Sequence, residues 1–173
     1  MELVTLLGVD GQPSGTALKS DVHSASTPLH LAFSCYVLDE QGRVLVTRRA
    51  LSKQTWPGTW TNSFCGHPGP DESMIDAVRR RAGQELGIGL RSIRVVLPDF
   101  RYRAVDASGI VENEICPVHL AVIDGALSPD PSEVMEWRWL EVDELADAVR
   151  VATFAFSPWM AEQLPLLMKA DGF

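Results

Sequence analysis

Met74, Val78, Ala82 and Leu86 recur every four residues, and Gly87 follows at once. That spacing puts four apolar side chains on one face of a helix running from about Asp71 to Leu86, with a glycine placed to close it in the left-handed conformation. Elsewhere the apolar residues fall mostly in short runs with a strand period. Leu3 to Val9 reads as one strand, and Leu31 to Leu38 and Arg43 to Arg49 as two more joined by the turn Asp39-Glu40-Gln41-Gly42. After the aromatic loop Trp56-Pro57-Gly58-Thr59-Trp60, Ser63 to His67 is a short extended piece. Phe100, Tyr102 and Ala104 alternate with polar neighbours, Asp106-Ala107-Ser108-Gly109 turns, and Ile110 to Ile123 is a long strand-forming run. Met135 to Leu140 reads as a strand, Val142 to Val149 as a helix, and Ser157 to Ala170 as a last helix with Pro158 in its first turn. The expected class is α/β (α+β), a mixed sheet flanked by helices.

No internal repeat, low-complexity tract or Pro/Gly-rich linker interrupts the 173 residues, so a single domain over 1–173 is expected. No stretch approaches the roughly 18 consecutive apolar residues of a spanning helix, and Met1-Glu2-Leu3-Val4-Thr5 lacks a secretory pattern; a cytoplasmic protein away from the membrane is expected. Three cysteines, Cys35, Cys65 and Cys116, form no CxxC pair and no disulfide framework, so reduced thiols are expected. A net charge of -8 argues against general nucleic-acid binding, and an anionic ligand would need a local basic patch.

Glu112 and Glu114 stand at i and i+2 in a strand-forming run, so both carboxylates project to one side. Either that end of the strand is exposed and both are solvated, or they share a buried face, which requires a compensating cation or a retained proton. Three of the four histidines, His23, His30 and His67, lie in or beside loops. If these five side chains meet, three imidazoles and two carboxylates without a thiolate suit a five- or six-coordinate divalent ion better than a tetrahedral structural zinc.

The loop and helix Gly66-x5-Glu72-x7-Arg80-Arg81-Ala82-Gly83-Gln84-Glu85-Leu86-Gly87-Ile88 resembles the Nudix box, in which glutamates hold divalent metal at a diphosphate. Two acidic positions of that box are here Arg81 and Gln84, which counts against metal-activated hydrolysis. Glu85 remains able to help hold one Mg²⁺. Lys19, Arg49, Lys53 and Arg81 are candidates for phosphate oxygens. Cys65, between Phe64 and Gly66 and two residues from His67, is a candidate proton donor or acceptor, whereas Cys35 and Cys116 read as packing.

Longer motifs extend this. Thr47-Arg48-Arg49-Ala50-Leu51-Ser52-Lys53, Trp56-Pro57-Gly58-x-Trp60-Thr61-Asn62-Ser63, Cys65-Gly66-His67-Pro68, Tyr102-Arg103-Ala104, Glu112-Asn113-Glu114-x-Cys116-Pro117 and Phe156-Ser157-Pro158-Trp159-Met160 together resemble type I isopentenyl diphosphate isomerases, from about Lys19 to Met160. The resemblance implies a Nudix-type α/β/α sandwich and a reversible 1,3-allylic proton shift on a small isoprenoid diphosphate. It implies that His23, His30, His67, Glu112 and Glu114 bind one divalent metal, Mn²⁺, Mg²⁺ or Zn²⁺, and that Glu85 with the backbone carbonyl of Cys65 binds a Mg²⁺ accompanying the diphosphate. It also implies that Cys65 and Glu114 are the proton-transfer pair, with Tyr102 beside Glu114 and Trp159 facing a cationic intermediate. A monomer is expected. A Nudix hydrolase and a non-catalytic ligand-binding domain are the competing readings.

Overall fold

A computed structural model describes residues 2–170 and 172–173. The strands are β1 (Leu3–Leu7), β2 (Pro13–Leu18), β3 (His30–Leu31), β4 (Phe33–Leu38), β5 (Val44–Arg49), β6 (Trp60–Thr61), β7 (Phe64–Gly66), β8 (Gly89–Leu97), β9 (Arg101–Val105), β10 (Val111–Ile115), β11 (Val118–Asp124) and β12 (Val134–Leu140). The helices are α1 (Lys19–Val22), α2 (Met74–Leu86), α3 (Val142–Val151) and α4 (Pro158–Lys169), with a 3-10 turn at Thr153–Ala155 before the last.

The larger sheet runs β12-β5-β4-β11-β8, with β6 on β5 and β7 on β4. Along β4, Phe33, Cys35 and Val37 pack with Ala77, Val78, Ala82 and Leu86 of α2, whereas Tyr36 packs with Leu145 and Val149 of α3 and Trp159, Leu164 and Leu167 of α4. The strand is therefore covered on both faces, which accounts for its continuous apolar run. Helix α2 lies on one side and α3 and α4 on the other, the expected α/β/α arrangement. The smaller sheet runs β2-β1-β3-β10-β9.

The period-four helix begins at Met74, three residues later than expected, because Ser73 caps it, its hydroxyl accepting from the Asp76 N–H. Gly87 ends it at φ 66°, as the sequence requires. The expected long run from Ile110 to Ile123 is two strands in two sheets. Ala32 N–H donates to the Ile115 carbonyl and Ser34 N–H to the Pro117 carbonyl, so the parallel pairs β3–β10 and β4–β11 change sheet together around Cys116-Pro117, where proline removes a donor.

The expected hairpin of β4 and β5 pairs at Leu38 and Val44 and then opens. The segment from Trp60 to Gly66 fills the gap, with β6 on Thr47 and Arg48 and β7 on Phe33 to Cys35. Two buried polar side chains satisfy the backbone there. Ser63 Oγ accepts from Val37 N–H and donates to the Leu45 carbonyl, and Asn62 Nδ2 donates to the carbonyls of Cys35 and Phe64.

Candidate active site

Sheet register assembles the first part of the site. Glu114 on β10 stands opposite His30 on β3 and Tyr102 on β9, so an imidazole, a carboxylate and a phenol lie in a row across three strands. Glu112 and Glu114 are 6% and 5% exposed, which excludes the solvated alternative. Ligand atoms of His23, His30, His67 and Glu114 all lie within 4.8 Å of one another. Glu112 stands at the rim of this group, its Oε2 2.9 Å from His23 Nε2 and its Oε1 accepting from Thr55 Oγ1 at 2.8 Å.

The donor set fits a cation. His23 Nε2, His30 Nε2 and Glu112 Oε2 are buried and, close as they lie to carboxylate or imidazole neighbours, none makes an aligned hydrogen bond; orphaned buried polar atoms facing one another are costly unless an ion joins them. His30 Nδ1 lies 2.9 Å from the Pro28 carbonyl, which takes the ring proton and leaves Nε2 as a lone-pair ligand. Burial works to raise the Glu114 carboxyl, but the imidazoles of His30 and His67 hold it well below the usual carboxylate range. The His/Glu group can thus hold a divalent metal.

The loop that delivers His67 is braced by the box residues. Arg80 donates to Glu72 at 2.6 and 2.7 Å and to the His67 carbonyl at 3.1 Å, and Glu72 accepts from Gly69 N–H at 3.0 Å. Glu72 therefore anchors the loop that carries His67.

A cavity of about 350 Å³ adjoins the histidines. Every candidate named from the sequence lines it except His30, which is fully buried behind its wall. The Cys65 thiol faces the cavity, 3.4 Å from Ser34 Oγ and within 3.4 Å of Asn62 Nδ2. Desolvation pushes it up to about 11, against these hydrogen bonds and with the Glu114 charge, so it carries its proton near neutrality. Tyr102 is pushed well above the usual phenol range, first by burial and then by Glu114 and Glu112.

Trp159 forms an aromatic wall, with Trp56 at 5.4 Å, Tyr102 at 5.7 Å and the Arg49 guanidinium 5.5 Å from its ring centroid. Its indole N–H donates to Asn62 Oδ1 at 2.9 Å.

The opposite lining is an ion-pair network. Arg81, one turn before Glu85 on α2, is paired with Glu85 and lies 3.4 Å from Glu133, which also pairs with Lys53. Arg81 Nε is buried without a partner, a free donor for an anion. Burial raises the Glu85 carboxyl despite Arg81. Lys19 lines the edge and is tied to Glu2 at 2.7 Å, while Arg49 donates to the Thr55 carbonyl at 2.8 and 3.1 Å.

Residues 28–165 match the NUDIX domain family. The isopentenyl-diphosphate Delta-isomerase of Clavibacter sepedonicus is 61% identical over 166 residues, covering 96% of this chain and 87% of that protein. The isopentenyl-diphosphate Delta-isomerase of Kocuria rhizophila is 60% identical over 173 residues, covering 99% and 96%. The chain belongs to the isopentenyl-diphosphate Delta-isomerase family. A solved Deinococcus radiodurans structure superposes with a TM-score of 0.73 at 20% identity over 95% of this chain and 98% of that one. A MutT protein from Methanosarcina mazei does so at 0.65 and 16%, over 84% and 97%. These two show the fold alone. Among the described residues no helix is long and apolar enough to cross a membrane.

Within this isomerase family fold, sequence reasoning missed Thr55 on Glu112, Glu133 between Lys53 and Arg81, and Ser34 at Cys65. None carries a local signal, because each acts through a partner more than 30 residues away. Asn62 was present in a quoted motif, but its reach to Cys65 and Trp159 is a tertiary fact.

Proposed function

We propose that this cavity moves the double bond of isopentenyl diphosphate to give dimethylallyl diphosphate, reversibly, in isoprenoid biosynthesis. The observation that carries the reading is that the Cys65 thiol and the Glu114 carboxylate line one cavity, with the cation-competent His/Glu group that includes Glu114 at one side and the Arg/Lys–Glu ion-pair network at the other. Protonation of the terminal =CH₂ carbon makes it a methyl group and leaves a tertiary cation. Loss of a proton from the carbon next to the diphosphate-bearing one forms the new double bond, so one group donates, the other accepts, and composition is unchanged.

Cys65 and Glu114 are this pair, with Tyr102 beside Glu114. The protonated thiol and the ionised carboxylate are in complementary states before reaction. Trp159 turns its ring to the cation, a contact worth about 2 kcal/mol when desolvated. Its buried, tethered indole also helps exclude the water that would trap a carbocation. Lys19, Arg49, Lys53 and Arg81 receive the diphosphate.

His23, His30, His67, Glu112 and Glu114 would hold one Mn²⁺, Mg²⁺ or Zn²⁺, and Glu85 with the Cys65 carbonyl a Mg²⁺ at the diphosphate. When bound, these ions would neutralise carboxylate and diphosphate charge gathered in the site.

Proton NMR of isopentenyl diphosphate with metal-loaded protein in D₂O tests this. Deuterated dimethylallyl diphosphate is expected with the unaltered protein and not with Cys65→Ala. No double-bond shift and no exchange, with metal and Mg²⁺ present, refutes the reading.

A further inference from the structure

Ser34, Tyr36 and Gln163 are fully buried, yet they form a polar line through the apolar core between β4 and α4. Tyr36 donates its hydroxyl to Gln163 Oε1 at 3.0 Å. With the amide oxygen so occupied, Gln163 Nε2 is the end that faces inward, and it donates to Ser34 Oγ at 2.9 Å. Ser34 Oγ lies 3.4 Å from Cys65 Sγ and 3.4 Å from Cys116 Sγ.

A hydroxyl has one hydrogen and two lone pairs. Gln163 takes one lone pair, so Ser34 can give its hydrogen to one sulfur and accept the S–H of the other. Two arrangements follow. In the first, Ser34 donates to Cys65, whose own S–H is released toward Asn62 Oδ1, 3.5 Å away, or the cavity. In the second, the Cys65 S–H points at Ser34 and a sulfur lone pair is left for the cavity. Rotation of one hydroxyl exchanges them.

We propose that Ser34, oriented by Gln163 and Tyr36, is the positioning residue that donates its hydrogen to Cys65 Sγ, turning the thiol's S–H toward the allylic substrate and holding the thiolate that remains once that proton has been given. A reversible proton shift needs this group as a thiol in one direction and as the thiolate that takes the proton back in the other, and the same Ser34 hydrogen can be donated to the sulfur in both. Packing alone does not require the line, since apolar side chains of the same shape fill such space at little or no cost. Gln163 stands four residues after Trp159, on the same face of α4, so one helix sets both the thiol's tether and the aromatic wall. The inference rests on the reading of Cys65 as a proton-transfer group.

Ser34→Ala, Gln163→Met and Tyr36→Phe in the metal-loaded protein test it. Ser34→Ala is expected to lower kcat for isopentenyl diphosphate about tenfold or more with KM held within about twofold, the pattern of an interaction made in the transition state. Gln163→Met and then Tyr36→Phe should lower kcat by progressively less. A second readout does not depend on turnover. The infrared S–H stretching band of Cys65, isolated by subtracting the spectrum of Cys65→Ala, should shift in Ser34→Ala toward that of a thiol free of hydrogen bonds. An unmoved band, or kcat within about twofold of the unaltered protein, overturns the proposal. So do kcat losses that follow the loss of melting temperature rather than the order Ser34, Gln163, Tyr36. Full activity in Cys65→Ala would remove the premise, whereas an inactive Cys65→Ala beside a fully active Ser34→Ala would overturn the positioning role alone.

Discussion

Replacing Asn62 by alanine tests the polar wedge that joins fold and site. The side chain is fully buried, donates to the carbonyls of Cys35 and Phe64 at 3.0 and 2.8 Å, and accepts the Trp159 indole N–H at 2.9 Å. Its loss orphans that N–H, at about 1–3 kcal/mol, and removes a donor from each carbonyl at about 1 kcal/mol apiece, giving roughly 3–5 kcal/mol. Against a typical stability of about 5–15 kcal/mol this is a large fraction, and for a chain of this size it corresponds to a melting temperature lower by roughly 6–20 °C. Urea unfolding followed by tryptophan fluorescence at fixed metal concentration reads it. Asn62→Asp sharpens the test, because it keeps an acceptor for Trp159 but sets a carboxylate oxygen against two carbonyls. It should be destabilising at neutral pH and partly relieved in acid, where the carboxyl regains a hydrogen to donate. A loss below about 1 kcal/mol for Asn62→Ala, the size of a single exchanged hydrogen bond, would refute the reasoning.

Gly66→Ala would place a Cβ 2.7 Å from Arg81 Cγ and 2.7 Å from Cζ of the fully buried Phe33. A cost of about 1–3 kcal/mol in urea unfolding and a raised KM for isopentenyl diphosphate are expected; unchanged values for both would count against the tight seat of Arg81. Chelation should lower the melting temperature, and Mn²⁺ or Zn²⁺ at 100 times its Kd should restore about 2.7 kcal/mol; the same recovery in His23→Ala or Glu114→Gln would move the metal elsewhere. Burial works to raise the Asp39 carboxyl, but N–H groups of Arg43 and Gln41 and the Arg43 guanidinium hold it below its ordinary value. A folded pKa so depressed gives stability that is complete above the unfolded value near ~4 and is lost as pH falls through the folded value. Asp39→Asn should therefore be less stable than the unaltered protein at pH ~7, with the gap narrowing as pH falls below ~4, and a gap independent of pH would show that the charge is not involved.

Much of the fold was legible locally. The four-residue period and Gly87 give α2 and its end, because helical hydrogen bonds and facing side chains span only a few residues. Strand alternation likewise placed Glu112 and Glu114 on one side, and their motif neighbours named the chemistry. The edge strands β2 and β8 left no such mark. Their side chains are mostly exposed, and they are strands because of their ladders to β1 and β11.

Tertiary structure alone decided which groups meet. The break at Cys116-Pro117 sends Glu114 into one sheet and Val118 into the other, and register then sets Glu114 between His30 and Tyr102. Ser34 reaches Gln163, and Arg81 reaches Glu133, only after distant segments have packed. Periodicity reports the face on which a side chain lies, whereas the partner across that face depends on register and packing between segments far apart in the chain.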